Sequence, residues 1–176
     1  MQVKCTDNVE CSGSPVTITI TNECPGECNN QRFHFDLSYK AFRLLAKPGQ
    51  GFALQKHGII NIQYQRVRCS YHRTPIVFRV AKGSIEGQYL AFSSEYENGD
   101  GDLVAVELIV SKNNKVLHMT KSYGATWATG FSIPDTSVGP YSVRLTTIES
   151  RKKILAYKAI PADWAPGREY RSRVNF

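Results

Sequence analysis

From residue 76 onward, short apolar runs recur with a turn every eight to twelve residues, and no stretch there carries the period of a helix. The runs fall at 76–81, 89–96, 103–110, 115–121, 141–147, 154–160 and 169–175. Spacing of this kind leaves room for tight turns but not for crossover helices, so these residues are expected to form an antiparallel, immunoglobulin-like β-sandwich. Asn98-Gly99-Asp100-Gly101-Asp102 and Lys112-Asn113-Asn114-Lys115 read as hairpin turns. The first offers alternating carboxylates, but it has neither the closing Glu nor the flanking helices of a calcium loop.

Side-chain parity predicts the two faces of each strand. Leu90 and Phe92 are expected to face the core, with Tyr89, Ala91 and Ser93 facing out. Val104, Val106, Leu108 and Val110 make the next inner face, and Leu117 and Met119 another. Tyr123 and Trp127 then fall in a segment interrupted by Gly124, where at least one ring lacks a core slot. Exposed aromatic rings on a flat sheet suit the apolar CH faces of sugars. For Trp127 or Tyr123 the other reading, a ring plugging the open end of the sandwich, stays open.

The first seventy residues have a different texture. Residues 14–22 alternate apolar residues with threonine, which predicts a strand with Val16, Ile18 and Ile20 inward. A second short strand is expected at Phe33-His34-Phe35-Asp36, followed by a helix capped by Ser38 with Ala41, Phe42, Leu44 and Leu45 on its apolar face. Pro48-Gly49 stops it, a short helical piece follows around Gly51 to His57, and residues 59–67 form a third strand. Three strands and a helix bury little and leave sheet edges open. The segment therefore reads as the second half of a barrel. With a short linker at 70–75, the expected domains are 1–71 and 72–176.

The five cysteines separate compartments. Cys5 and Cys11 bracket a short loop, Cys24 and Cys28 bracket a Pro-Gly turn, and Cys69 stands alone. Neither close pair has zinc-ribbon spacing, so two local disulfides, Cys5–Cys11 and Cys24–Cys28, are the expected arrangement, with Cys69 unpaired. Disulfides imply an extracellular compartment, although the N-terminus lacks the pattern of a secretory signal. No run of eighteen apolar residues occurs, so no membrane partner is expected.

The net charge of +7 is spread along the chain, and its longest basic run is Arg151-Lys152-Lys153 in a hairpin turn. Nucleic acid is therefore not an expected partner. Glycine-rich phosphate loops are absent, and His34, His57, His72 and His118 form no metal spacing. Neither a cofactor nor a metal is expected.

Read together, these segments resemble the β-expansins, the plant cell-wall-loosening family that includes the group-1 grass pollen allergens. The resemblance rests on Cys5 with Cys11-Ser12-Gly13, His34-Phe35-Asp36-Leu37-Ser38, Ala46-Lys47-Pro48-Gly49 and Gln63-Tyr64-Gln65-Arg66-Val67-Arg68-Cys69. It continues in Tyr89-Leu90-Ala91, Gly99-Asp100-Gly101-Asp102, Ser122-Tyr123-Gly124-Ala125 with Trp127, Gly139-Pro140 and Ile160-Pro161.

The resemblance implies a mainly β protein: part of a double-psi β-barrel with a short helix, related to family-45 glycoside hydrolases, then a β-sandwich classed as a family-63 carbohydrate-binding module. Asp36 matches the general acid of the related hydrolases, with His34 nearby. Tyr89 and Tyr123 match two positions of the family's aromatic platform, the second commonly Trp, and Trp127 and Lys121 are assigned to the same glycan-binding surface. Cys69 matches a cysteine whose family partner lies a few residues upstream of Cys5, outside this chain. The chain is accordingly read as truncated at its N-terminus.

Glycoside hydrolysis ordinarily needs two carboxylates flanking the scissile bond. The acids before residue 70 other than Asp36 are Asp7, Glu10, Glu23 and Glu27, all in turns near cysteines, and none matches a catalytic base. The expected function is non-enzymatic wall loosening by a monomeric, extracellular protein that binds cellulose, xylan or other matrix glycans. Weak hydrolysis or transglycosylation through Asp36, or glycan binding alone because of the truncation, are the alternatives.

Overall fold

A computed structural model describes residues 1–22, 24, 26, 33–130 and 139–176. The chain divides into two compact units, Met1–Val67 and Arg68–Phe176.

The first unit is small. Strand β1 (Gln2–Lys4) lies between β2 (Val16–Thr17) and β3 (Gln63–Gln65), antiparallel to both. Helices α1 (Tyr39–Leu44) and α2 (Gly51–Gln55) pack on each other, and the Ser38 hydroxyl accepts a hydrogen bond from the Ala41 amide at 3.3 Å to cap α1. The core is Val3, Cys5, Cys11, Leu45, Ala46 and Leu54. Cys5 and Cys11 form a disulfide inside it. The expected pair Cys24–Cys28 lies outside the described residues, because Cys28 does.

Several sequence expectations shift here. The strand expected at 14–22 shrinks to the two paired residues Val16 and Thr17, and beyond them Ile18 N–H donates to the Met1 carbonyl at 2.9 Å. Ile20, beyond the ladder, is 58 % exposed rather than buried. Residues 33–36 are not paired as a strand, and Leu44 turns outward while Leu45 goes to the core.

The second unit is a two-sheet sandwich. One sheet orders β11 (Lys153–Ile160), β10 (Tyr141–Thr147), β6 (Leu103–Val110) and β7 (Val116–His118). The other orders β12 (Glu169–Arg171), β4 (Val77–Val80), β5 (Ala91–Glu95), β9 (Thr126–Ala128) and β8 (Thr120–Lys121). All neighbours are antiparallel. The run expected at 115–121 is one strand in sequence but serves both sheets. It changes sheet at Met119, whose side chain drops into the core between β7 and β8.

The core stacks Phe78 on Phe92 edge to face, 5.2 Å between centroids, and adds Leu90, Val106, Leu108, Val143, Leu145 and Trp127. Parity holds along β6 from Val106 to Val110 and fails at its start, where Val104 is exposed and Leu103 buried. The cause is a register shift: Thr146 faces Ala105, yet Thr147 faces Leu103, so Val104 is the extra residue of a bulge. Ala91, expected on the outside, is buried, with its backbone bonded to the Ser84 hydroxyl.

The segment after Val67 is fastened to the sandwich. Cys69 and Gly99 exchange both backbone hydrogen bonds, and the Tyr71 amide donates to Asn98 Oδ1 at 2.6 Å. The Tyr71 ring meets Tyr96 edge to face at 5.4 Å.

Candidate functional site

Two groups of the expected residues occur, one in each unit. In the first, His34 and Asp36 stand two apart in an extended run, which puts both side chains on one side of the backbone. His34 Nε2 lies 3.5 Å from Asp36 Oδ1, and the Asp36 side chain is 68 % exposed. Of the other acids before residue 70, Glu10 is paired with His57 at 3.3 Å and Asp7 accepts from the Thr6 hydroxyl. Glu23 and Glu27 lie outside the described residues. The Tyr64 ring packs with Phe33 and Phe35 on either side of His34.

In the second unit the outer face of the five-stranded sheet gathers the larger group. Cross-strand partners share a face, so Ser93 on β5 and Thr126 on β9 both point away from Phe92 and Trp127, which pair inward. Directly before Thr126 the chain makes a turn closed by Thr126 N–H to the Tyr123 carbonyl and Ser122 N–H to the Thr126 carbonyl. That turn carries Tyr123, 57 % exposed, to the rim of an open pocket of about 190 Å³ lined also by Arg79, Lys82, Ser93, Thr126 and Gly167.

Tyr89 sits at the opposite end of the same strand pair, just before the point where Thr129 N–H donates to the Leu90 carbonyl and Leu90 N–H to the Thr129 hydroxyl, and is half-buried. From Tyr89 to Ser93 the strand advances about 13 Å. The two tyrosines therefore bracket the β5–β9 pair along its length.

Two residues assigned to this surface from sequence lie elsewhere. Trp127 is 8 % exposed and belongs to the sandwich core, because it pairs with the inward Phe92. Lys121 pairs with Trp127 and so shares its inner parity at the sheet edge, where its ammonium lies 3.8 Å from Asp102 Oδ1. Cys69 is a free thiol.

Arg79 was not singled out by sequence, although its parity opposite Phe78 and Val80 marks it as outward-facing. Its guanidinium donates to both oxygens of Glu95, at 2.7 and 3.3 Å, and lies 2.6 Å from Glu169 Oε1. The Glu95 hydrogen bond and both negative charges hold the guanidinium above its ordinary pKa.

At one end of the sandwich Asp100 Oδ2 accepts from the Glu149 and Ser150 amides and the Ser150 hydroxyl, which holds the carboxyl below its usual range. This saturated oxygen ties two loops together. Beside it Glu97 is buried, and burial pushes its carboxyl up to about 7, with Asp102 adding to the rise and Ser94 and Lys121 opposing it.

Comparison with known proteins agrees with this layout. A model of the expansin C-terminal domain matches residues 76–161, and one described as lytic transglycolase matches residues 1–64. The chain is 46 % identical to an Expansin-B6 of Arabidopsis thaliana over 176 residues, 99 % of this chain and 77 % of that protein. It is 46 % identical to Arabidopsis Expansin-B4, of which it covers 66 %, and 42 % identical to Expansin-B11 of Oryza sativa subsp. japonica, of which it covers 59 %. The fold is mainly β, a partial double-psi barrel followed by an antiparallel sandwich, as the sequence resemblance implied. On the identity to the Expansin-B proteins along its whole length, the chain belongs to the expansins, in their β branch.

Proposed function

We propose that this protein loosens plant cell walls outside the cell by binding polysaccharide and separating cellulose from matrix glycans, without cutting either. The observation that carries this reading is Tyr123, a large ring held at the rim of a shallow outer-face pocket with Tyr89 at the other end of the same strand pair. Rings in such positions stack on the CH faces of pyranoses, and an open face accepts a chain or a crystal surface where a closed pocket would take a single sugar. The proposed domains are 1–71, a barrel portion, and 72–176, the binding module, and the protein acts as a monomer.

Asp36 is assigned as a contact to glycan, not as half of a catalytic pair. Its carboxyl is open to water and has His34 as its neighbour, where an inverting or retaining glycosidase needs a second carboxylate across the bond. The match of residues 1–64 to a lytic transglycolase model keeps a cutting reaction as the second reading. One pair of assays separates them. Wall strips under constant load should extend on adding the protein, with no new reducing ends and the same result for Asp36→Asn in the reducing-end assay. New reducing ends that vanish in Asp36→Asn would establish the cutting reaction instead.

A further inference from the structure

The outer face of the five-stranded sheet holds a row of side chains that stacking alone leaves unused. Glu169, Arg79, Ser93 and Thr126 are successive cross-strand partners on β12, β4, β5 and β9. All four leave the sheet away from the core, and at the usual strand spacing the row crosses about 14 Å. Glu95, two residues on from Ser93, joins the same face and meets Arg79 on the diagonal. Tyr123 and Lys82 flank the pocket into which Arg79, Ser93 and Thr126 open.

Charge decides what this face takes. Arg79, Lys82 and Arg171, the last exposed and two residues on from Glu169, supply three positive charges and Glu95 and Glu169 two negative ones, so the local sum is only +1 on a chain of net charge +7. The Nε–Nη2 fork of Arg79 is already engaged by Glu95 and its Nη1 by Glu169, so the carboxylate of a uronic acid would have to compete with two carboxylates held in place. A carboxylate has about four lone-pair sites, and the arginine does not use them all. What the row offers is acceptors fixed in place, with the Ser93 hydroxyl able to donate or accept. Those are partners for the hydroxyls of an uncharged sugar chain.

We propose that the Glu169–Arg79–Glu95 cluster with Ser93 is a hydroxyl-binding subsite that makes the face selective for neutral glycan chains. Arg79 is the positioning residue that holds both carboxylates as acceptors, and the inference rests on Tyr123 being a stacking residue for the same chain.

The test is depletion binding of the full chain to microcrystalline cellulose and to immobilised polygalacturonate, at 20 and 500 mM NaCl. Melting curves confirm that each variant is folded. Arg79→Ala and the pair Glu95→Gln with Glu169→Gln should each weaken cellulose binding about tenfold, the size of one charge-assisted hydrogen bond. Salt should change wild-type cellulose binding by less than about twofold, because screening weakens attraction between charges and a neutral chain brings none. Polygalacturonate binding, driven by the overall positive charge, should collapse at high salt and be indifferent to Arg79→Ala. Cellulose binding that survives both the Arg79 and glutamate changes but is lost in Tyr123→Ala overturns the subsite and leaves the stacking reading intact. Binding that survives Tyr123→Ala as well overturns both. Polygalacturonate binding that depends on Arg79 overturns the selectivity for neutral chains.

Discussion

Trp127 and Tyr123, four residues apart, face opposite sides of one sheet: the tryptophan is in the sandwich core and the tyrosine is at the rim of the outer pocket. The turn between them makes the difference, since it lets the chain re-enter the sheet as β9 with Trp127 opposite Phe92. The two rings should therefore fail differently. Trp127→Ala should cost about 3–5 kcal/mol of stability, as large-to-small changes in a packed core do. Trp127→Phe should keep both fold and cellulose affinity, measured by denaturant unfolding and depletion binding, whereas a selective loss of affinity would return Trp127 to the binding surface.

Gly101 has no room for a side chain. Its φ is +63°, and a Cβ there would stand 2.4 Å from the Cys69 sulfur. Gly101→Ala combines a left-handed penalty of about 1–2 kcal/mol with overpacking of similar size. A loss of about 3 kcal/mol is expected from the urea midpoint of the sandwich. Adding Cys69→Ala removes the sulfur and should recover part of the loss, so a double-mutant cycle should show coupling between the two positions.

Glu97 makes the sandwich sensitive to pH. Its folded pKa of about 7 lies above the ordinary 4.5, so between those values the folded state holds a proton the unfolded state has released. Stability then falls as pH rises from about 4.5 to 7 and levels off above it, by a total on the order of 3 kcal/mol. Melting temperatures of the wild type should show this decline, and Glu97→Gln should remove it. An equal decline in Glu97→Gln would assign the effect to other groups.

The Cys5–Cys11 disulfide closes a short loop inside the small core of the first unit. The loop entropy it removes is worth about 2 kcal/mol. Cys5→Ala with Cys11→Ala also loses packing, so the first unit should melt lower while the sandwich transition holds its place. Calorimetry with two resolved transitions checks this, and a shift of both together would contradict it.

What the sequence made legible follows from period and pairing. The strands at 103–110, 141–147 and 154–160 are legible because they pair with one another over seven or eight residues, β6 with β10 and β10 with β11, and along β6 from Val106 to Val110 alternation and burial coincide. Val104 broke the rule because a bulge is a property of two strands together, and Thr147 on the partner carries half of it. Trp127 was ambiguous for a similar reason: β9 is three residues long, too short for alternation to fix which way it faces. In the first unit Ile20 and residues 33–36 carry strand-like patterns, yet a strand exists only where a neighbour is present to bond it. Tyr89 and Tyr123 were picked out by resemblance, while Arg79 went unnoticed because a charged residue on a strand is ordinarily only its solvent face. Its importance comes from Glu95 and Glu169, which are distant in sequence and meet it through register.

The outer sheet face bracketed by Tyr89 and Tyr123 is the proposed seat of wall polysaccharide. Its most direct test is depletion of the purified full chain by insoluble cellulose, comparing wild type with the combined Tyr89→Ala and Tyr123→Ala variant after matched melting curves. The wild type should bind and the double variant should stay in solution. Equal binding by the two proteins would contradict it.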